Sequence, residues 1–238
     1  MTTPQQTPSS IELSSEQIEE WSAFGFVGPF VAFSPNEIQG IRNYITNNIL
    51  AGRPPKGREM DPYYCRHVDD PVVLEICKNR VISNVLSQIY GKRLLLWMSE
   101  FINKLPGGSA IRLHQDAGTT LDPPTSVTVW MAIDPATKET GCLQIVQRNI
   151  TDILPRILSR QGYRADLGGE AHIGIVKDVE MEPGEFVLFR ETTLHSSRPN
   201  TSKKRRLGFT FRVTIPGGRI KQDTRYFNDY RVVEIVVA

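Results

Sequence analysis

The segment 111–116, IRLHQD, places a histidine and an aspartate one residue apart in a chain that contains four histidines. In a β-strand, residues i and i+2 point to the same face, so His114 and Asp116 can reach one object together. Imidazole and carboxylate groups both bind divalent transition metals. Chance places an aspartate two residues after one of four histidines in roughly one chain in five at average composition. The pair alone is therefore weak and needs further ligands.

A further histidine can complete such a site. His195 lies 81 residues after His114 and follows the apolar segment EFVLF at 185–189. Two neutral imidazoles and one carboxylate on one side of a divalent ion form a facial triad that suits Fe(II), because three coordination positions stay free. A catalytic zinc ion can use the same ligand types, so these three residues alone leave a zinc hydrolase open.

Arg206 offers a second kind of binding group. It stands 11 residues after His195 and begins the apolar run RLGFTFRV. A guanidinium pairs with a carboxylate through two parallel hydrogen bonds. An arginine that starts an interior strand therefore indicates a carboxylic acid co-substrate beside the metal, which favours oxidative chemistry over hydrolysis.

The elements that must position these residues change character along the chain. Ser14 is an N-cap with Gln17 three residues later, and Ser34 caps a second helix that begins at Pro35. The segment 51–64 is rich in glycine, proline and charge and predicts a loop, and 71–91 predicts one or two further helices ended by Gly91. The first ninety residues are therefore predicted to be mainly helical.

The remainder of the chain predicts strands. Short runs rich in β-branched and aromatic residues lie at 93–104, 109–114, 126–134, 141–146, 171–177, 185–190 and 205–215. Glycine and proline turns separate them, which favours a jelly roll or barrel over alternating parallel units. The segment 148–169 has apolar residues at helical spacing and predicts a helical and loop insertion. We therefore expect a mainly β protein with flanking helices.

Composition limits the remaining possibilities. The 238 residues are 39% hydrophobic and 23% charged, with a net charge of +2, and no apolar run approaches the roughly 20 residues of a membrane span. We expect no membrane and no nucleic-acid partner. We expect a cytoplasmic location, because the start MTTPQQTPSS lacks the cationic and apolar segments of a secretory signal; three widely spaced cysteines also predict no disulfide framework. Residues 1–10 predict a disordered tail and 11–238 a single domain.

These segments together resemble the phytanoyl-CoA dioxygenase-like family of Fe(II)/2-oxoglutarate-dependent oxygenases. The resemblance spans most of the chain. It rests on LSSEQIEEWSAFGFVGP near the N-terminus, LPGGSAIRLHQD, SVTVWMAID, GCLQIV, and most specifically MEPGEFVLFRETTLHSSRPNTSKKRRLGFTFRVT. It implies a double-stranded β-helix, that is, a cupin-like jelly roll with an N-terminal helical region.

The resemblance also assigns roles. It implies that His114, Asp116 and His195 hold Fe(II), that Arg206 binds the distal carboxylate of the co-substrate 2-oxoglutarate, and that Ser197 assists Arg206. Gln115 and Trp130 match positions that line the co-substrate pocket.

The resemblance implies a reaction with O2 as second co-substrate and succinate and CO2 as products. Halogenating relatives replace the metal-binding carboxylate with glycine or alanine, so Asp116 favours hydroxylation of an aliphatic carbon over chlorination. Desaturation, cyclisation or epimerisation by the same oxidant stay open, as does a barrel that binds metal and a small acid without turnover. The expected partner is a small molecule of specialised metabolism, such as an amino acid, an acyl compound or a carrier-bound compound. Arg148 or Arg190 would pair with an acidic group of that substrate. Neither its identity nor the oligomeric state is predicted.

Overall fold

The computed structural model describes the following residues: 10–52, 54, 56, 62–91, 93–117, 121–122, 124–148, 152–159, 162–165, 174–217, 219–220 and 233–236. Residues 1–9 of the expected tail lie outside this description, and Ser10 is exposed.

Helices occupy the N-terminal part, as the sequence predicts. The α-helices of the described residues are α1 (Ser15–Phe24), α2 (Pro35–Tyr44), α3 (Pro71–Cys77) and α4 (Arg80–Tyr90). A wider π-helical turn, Ile45–Leu50, continues α2, and a short 3-10 turn, Arg66–Val68, precedes α3. No helix in these ranges is both long and apolar enough to cross a membrane.

The helix starts follow from local hydrogen bonding. At α1 the Ser14 hydroxyl accepts from the backbone N–H of Gln17, whose side chain accepts in return from the N–H of Ser14. Ser34 and Glu37 repeat this reciprocal arrangement at α2. Each such box satisfies two backbone donors that the first helical turn leaves without partners.

The rest of the described chain is mostly strand. The strands are β1 (Phe26–Val31), β2 (Arg93–Lys104), β3 (Ile111–His114), β4 (Leu121–Asp122), β5 (Val127–Ala132), β6 (Leu143–Gln147), β7 (Arg156–Ser159), β8 (Gly162–Ala165), β9 (Ile175–Val179), β10 (Glu185–Arg190), β11 (His195–Ser197), β12 (Arg206–Thr214), β13 (Arg219–Ile220) and β14 (Val233–Val236). The large sheet has the order β1-β10-β5-β12-β2-β14 and the small sheet the order β3-β11-β6-β9; every ladder in them is antiparallel.

The two faces of the large sheet pack against different parts of the protein. On β12, Leu207, Phe209 and Phe211 point to the outer face and pack with the helices in the largest apolar cluster. The alternate residues point to the inner face, where large-sheet side chains such as Trp130 and Val187 pack with Leu143, Ile145 and other residues of the small sheet. The sheets thus enclose a jelly-roll interior, into which Arg206 and the other even-numbered residues of β12 project.

Several strands lie outside the predicted runs, namely β1, β4, β7, β8, β11, β13 and β14. The expected helical insertion contains instead, where it is described, the hairpin β7–β8. Pro155 directly precedes β7. A proline disfavours helical geometry at the residue before it, here Leu154, so it interrupts the expected helix. β1 was not predicted, because Gly28 and Pro29 interrupt its apolar run; proline is tolerated there because β1 is an edge strand with a register shift between Val27 and Phe30.

Candidate metal centre

One antiparallel ladder brings the two histidines together. His114 is the last residue of β3 and His195 the first of β11, and the two are direct register partners. Their ring centroids lie 4.1 Å apart. The pairing of β3 with β11 therefore brings together two histidines that are 81 residues apart in the sequence.

Asp116 completes a cluster with these histidines. Its Oδ1 lies 3.8 Å from Nε2 of His114 and 3.9 Å from Nε2 of His195, and the ligand atoms of the three residues all lie within 4.8 Å of one another. A point equidistant from the three atoms is no more than about 2.5 Å from each, close to metal–ligand bonds of about 2.0–2.2 Å. The arrangement can hold one divalent ion after a small adjustment of the side chains.

Hydrogen bonds to backbone carbonyls set the orientation of both imidazoles. Nδ1 of His114 lies 2.7 Å from the carbonyl oxygen of Arg112, and Nδ1 of His195 lies 3.0 Å from that of Thr193. A carbonyl only accepts, so each Nδ1 carries the proton and each Nε2 presents its lone pair to the cluster. Burial lowers the pKa of His195 to about 4, which keeps this ring neutral at physiological pH.

Asp116 is held by two neighbouring strands of the large sheet. Thr128 on β5 donates to Oδ2 at 3.0 Å, and Nη2 of Arg212 on β12 donates to Oδ1 at 2.7 Å; Thr128 and Arg212 are register partners. Burial by itself would raise the pKa of Asp116, but the charge of Arg212, aided by the histidines and Thr128, outweighs it and lowers the pKa to about 2. Asp116 is therefore ionised and fixed.

A second carboxyl group lies near this cluster. Glu191 is buried and accepts a 2.6 Å hydrogen bond from the backbone N–H of Ser126, and its backbone carbonyl accepts from the N–H of Ala117. Burial raises the pKa of Glu191 to about 7. The segment after β10 therefore anchors the backbone next to Asp116.

Gln115 lies between His114 and Asp116 and turns to the opposite side. Its amide nitrogen donates to the carbonyl oxygens of Thr192 and Asp152, at 2.6 and 2.9 Å, and its amide oxygen accepts from the N–H of Leu154. Gln115 thus connects the metal-binding segment to the chain around residues 152–154, and its predicted place in the co-substrate pocket stays a prediction.

Arg206 lies at the start of β12 and projects into the interior. It is 1% exposed, and its guanidinium lies over the ring of Trp130 at 5.2 Å. Its Nε and Nη1 are buried and have no hydrogen-bond partner among the described residues. A Cβ at Gly208 would lie 2.6 Å from Cζ2 of Trp130, so glycine is what lets the arginine and the indole pack together. Burial lowers the pKa of Arg206 to about 10, so it stays charged at neutral pH.

Ser197 faces the same interior. It is buried on β11, two residues after His195, and its hydroxyl accepts a 2.7 Å hydrogen bond from Nζ of Lys104. Lys104 is the register partner of Arg206 on the neighbouring strand β2. The structure thus places Ser197 next to an ammonium group that the sequence did not single out.

The pairing of Arg148 or Arg190 with an acidic group of the substrate stays a prediction. Arg190 ends β10 and its guanidinium lies over the ring of Trp21 on α1, at 5.0 Å. Arg148 follows β6, and its backbone N–H donates to the carbonyl of Val146. Sequence reasoning missed three polar residues near this cluster. Thr128 and Arg212 contact Asp116, and the backbone carbonyl of Glu191 accepts from the N–H of Ala117.

Comparison with known proteins agrees with this arrangement. The family model for phytanoyl-CoA dioxygenase (PhyH) matches residues 23–208. Dioxygenase lolE1 of Epichloe uncinata is 30% identical over 123 residues, which cover 51% of this chain and 46% of the relative. Phytanoyl-CoA dioxygenase 1 of Oryza sativa subsp. japonica is 28% identical over 153 residues, which cover 62% of this chain and 54% of the relative. The chain thus matches about half the length of these two relatives.

A solved structure gives the same fold. CytC3 with Fe(II) and alpha-ketoglutarate, another name for 2-oxoglutarate, superposes with a TM-score of 0.68 at 25% sequence identity, over 92% of this chain and 84% of that one. With a family match that covers well over half of its residues, the chain belongs to the phytanoyl-CoA dioxygenase (PhyH) family.

Proposed function

We propose that this protein is a non-haem Fe(II)- and 2-oxoglutarate-dependent dioxygenase that hydroxylates an aliphatic carbon of a small molecule and releases succinate and CO2. The observation that carries this proposal is the cluster of His114, Asp116 and His195, whose ligand atoms lie within 4.8 Å of one another. All three come from β3, the residues just after it, and β11. This arrangement is what a facial triad requires.

The donor set fits Fe(II). Two neutral imidazoles that present Nε2 and one ionised carboxylate supply the ligand types and the single negative charge of the triad. Thr128 and Arg212 hold the carboxylate, and backbone carbonyls hold both rings, so the ligands are oriented before a metal arrives.

The interior also fits the co-substrate. A buried guanidinium with two donors that lack partners is costly unless an anion enters, and the distal carboxylate of 2-oxoglutarate is such an anion. His195 and Ser197 are two residues apart on β11, a distance of about 7 Å along a strand, which is on the order of the length of a five-carbon diacid. One molecule can therefore reach both the metal ligands and the Arg206 pocket.

Fe(II) with 2-oxoglutarate and O2 supplies the oxidising power for C–H hydroxylation when these groups are bound. The chain's own contribution is geometric and electrostatic. Asp116 keeps its charge because of Arg212, and the imidazoles keep their lone pairs because their Nδ1 protons are engaged. Aromatic side chains of the interior, Phe26, Trp130 and Phe189, exclude water around the site.

Anaerobic titration tests the proposal. Fe(II) with 2-oxoglutarate should give a weak visible charge-transfer band, and admitting oxygen should then yield succinate. Asp116→Ala should abolish the oxygen-dependent formation of succinate, while Glu139→Ala, which removes a carboxylate exposed on the surface, should leave it unchanged. Binding without succinate would indicate a non-catalytic barrel. Hydrolysis that is independent of oxygen and 2-oxoglutarate would indicate a zinc enzyme. Undiminished succinate formation by the Asp116→Ala protein would contradict the assignment of Asp116 as a metal ligand.

Three broader statements complete the proposal. Residues 11–238 form one catalytic domain after a tail at 1–10, which is supported by a family match from 23 to 208. The location is cytoplasmic, which is supported by three free, buried cysteines. The substrate belongs to specialised metabolism, and screening small molecules for stimulated consumption of 2-oxoglutarate tests this last statement.

A further inference from the structure

Lys104 ends β2 in the jelly-roll interior, and its side chain is held in a slot between two glycines. A Cβ at Gly108 would lie 2.9 Å from Cγ of Lys104, and a Cβ at Gly141 would lie 2.8 Å from its Cδ. Lys104 is only 7% exposed. The ammonium group of this long side chain is therefore fixed in place, which is unusual for lysine.

The ammonium makes two hydrogen bonds in this slot. Nζ donates to the hydroxyl of Ser197 at 2.7 Å and to the backbone carbonyl of Arg198. An ammonium group has three donors. Among the described residues the third N–H has no acceptor, so it can donate to a bound molecule.

A second buried cation lies beside it. Arg206 is the register partner of Lys104, and opposed residues of antiparallel strands have Cβ atoms about 4.5–5.5 Å apart. Neither side chain forms a salt bridge with a carboxylate of the described residues, and Nε and Nη1 of Arg206 have no partner there. Two neighbouring buried cations repel each other and lose hydration, so the pair is arranged for an incoming anion.

We propose that Lys104 and Arg206 together form a two-cation clamp for the distal carboxylate of 2-oxoglutarate, with Ser197 positioned by Lys104. The inference rests on the proposed function, because it adds a binding residue to the same co-substrate pocket. Lys104 thereby makes the affinity for 2-oxoglutarate depend on pH in a range where Arg206 does not titrate.

The electrostatics of the pocket support this dependence. Burial, followed by the charge of Arg206, lowers the pKa of Lys104 to about 8. The thiol of Cys142 also faces the ammonium, and burial raises its pKa to about 11, so it stays neutral. The turn 105–110 brings no ionisable side chain, and the guanidinium of Arg198 is engaged with Asp178. A bound carboxylate favours the charged ammonium, so binding above pH 8 requires uptake of one proton.

Calorimetric binding of 2-oxoglutarate to the Fe(II)-loaded protein under nitrogen tests the clamp. Between pH 7 and pH 9, the wild-type Kd should rise about tenfold, because the free ammonium titrates near pH 8. Lys104→Met, which keeps a long side chain in the glycine slot, should weaken binding at pH 7 at least tenfold and remove this rise. Lys204→Gln, an exposed lysine nearby, should behave like wild type.

The distal carboxylate is isolated by a second probe. 2-Oxobutyrate keeps the keto acid but lacks that carboxylate, so wild type and Lys104→Met should bind it equally. The proposal is overturned if Lys104→Met binds 2-oxoglutarate as wild type does, or if it keeps the pH effect. It is also overturned if the wild-type Kd is the same at pH 7 and pH 9, a measurement that requires no variant to fold. Failure of wild type to bind 2-oxoglutarate at all would instead contradict the proposed function.

Discussion

Arg212 is expected to stabilise the metal-free protein through its contact with Asp116. Its Nη2 lies 2.7 Å from Oδ1, and the side chains are 16% and 4% exposed. Unit charges about 4 Å apart attract by roughly 4 kcal/mol at an effective dielectric constant of 20. Removing one partner of a buried pair costs roughly 3–5 kcal/mol, because the other charge stays buried. We therefore expect Arg212→Met to lower the free energy of unfolding by about 3 kcal/mol.

The assay is thermal unfolding at pH 7 without metal. For a chain of this size, about 3 kcal/mol corresponds to a decrease in Tm of roughly 6–12 °C. The pH is chosen from the pKa of Asp116, which is lowered from its ordinary 3.8 to about 2. The stabilisation is therefore fully present at neutral pH and is lost as the pH falls from 3.8 through about 2. Arg198→Met is the matched control, since Arg198 pairs with Asp178 but is 42% exposed. It should cost no more than about 1 kcal/mol.

Adding metal provides the decisive comparison. A divalent ion at the cluster replaces the counter-charge that Arg212→Met removes, so Mn(II) should raise the Tm of this variant by several degrees more than it raises the wild-type Tm. Two results would refute the reasoning. One is a metal-free loss as small as that of Arg198→Met. The other is a Tm rise with Mn(II) no larger than in wild type, which would mean that Arg212 orients the carboxylate rather than balancing its charge.

Other expectations follow from the proposed co-substrate pocket. Arg206→Ala should raise the KM for 2-oxoglutarate by about 10- to 100-fold, because a buried charge-assisted hydrogen bond contributes about 1.5–3 kcal/mol; succinate assays at increasing 2-oxoglutarate measure this, and an unchanged KM would contradict it. Gly208→Ala should displace Trp130 and lower stability by about 1–3 kcal/mol. Gly40→Ala, where a Cβ meets nothing within 4 Å, is its control and should not destabilise the protein.

The sequence predicts the four inner strands of the large sheet, β10, β5, β12 and β2, better than it predicts which strands pair. The expected runs at 93–104 and 185–190 coincide with β2 and β10, because alternating or continuous apolar residues bounded by turns are a local signal. Pairing is not local. That Lys104 lies opposite Arg206, and His114 opposite His195, depends on sheet register, which no short stretch of sequence encodes.

Some missed residues did have a signal. Arg212 is an even number of positions from Arg206 on one strand, and Thr128 is two positions from Trp130 on another, so both lie on the inner face that the predicted pocket residues identify. A polar residue on an otherwise enclosed face needs a partner, which marks it as a candidate for the site. The helix predicted at 148–169 is wrong although a signal against it is present. Its apolar residues have helical spacing, but Pro155 lies among them and indicates a break.

The inner and outer faces of β12 explain how one strand can carry two costly guanidinium groups. Leu207, Phe209 and Phe211 are fully buried on the outer face, and each contributes roughly 1.5–3 kcal/mol by burial. A register slip of one residue would exchange these side chains with Arg206 and Arg212, placing charges against the helices and aromatic rings in the site. The apolar face therefore fixes the position of the charged face. The inward placement leaves Arg212 in contact with Asp116 and Arg206 with two donors that have no partner among the described residues, which is what the proposed function requires.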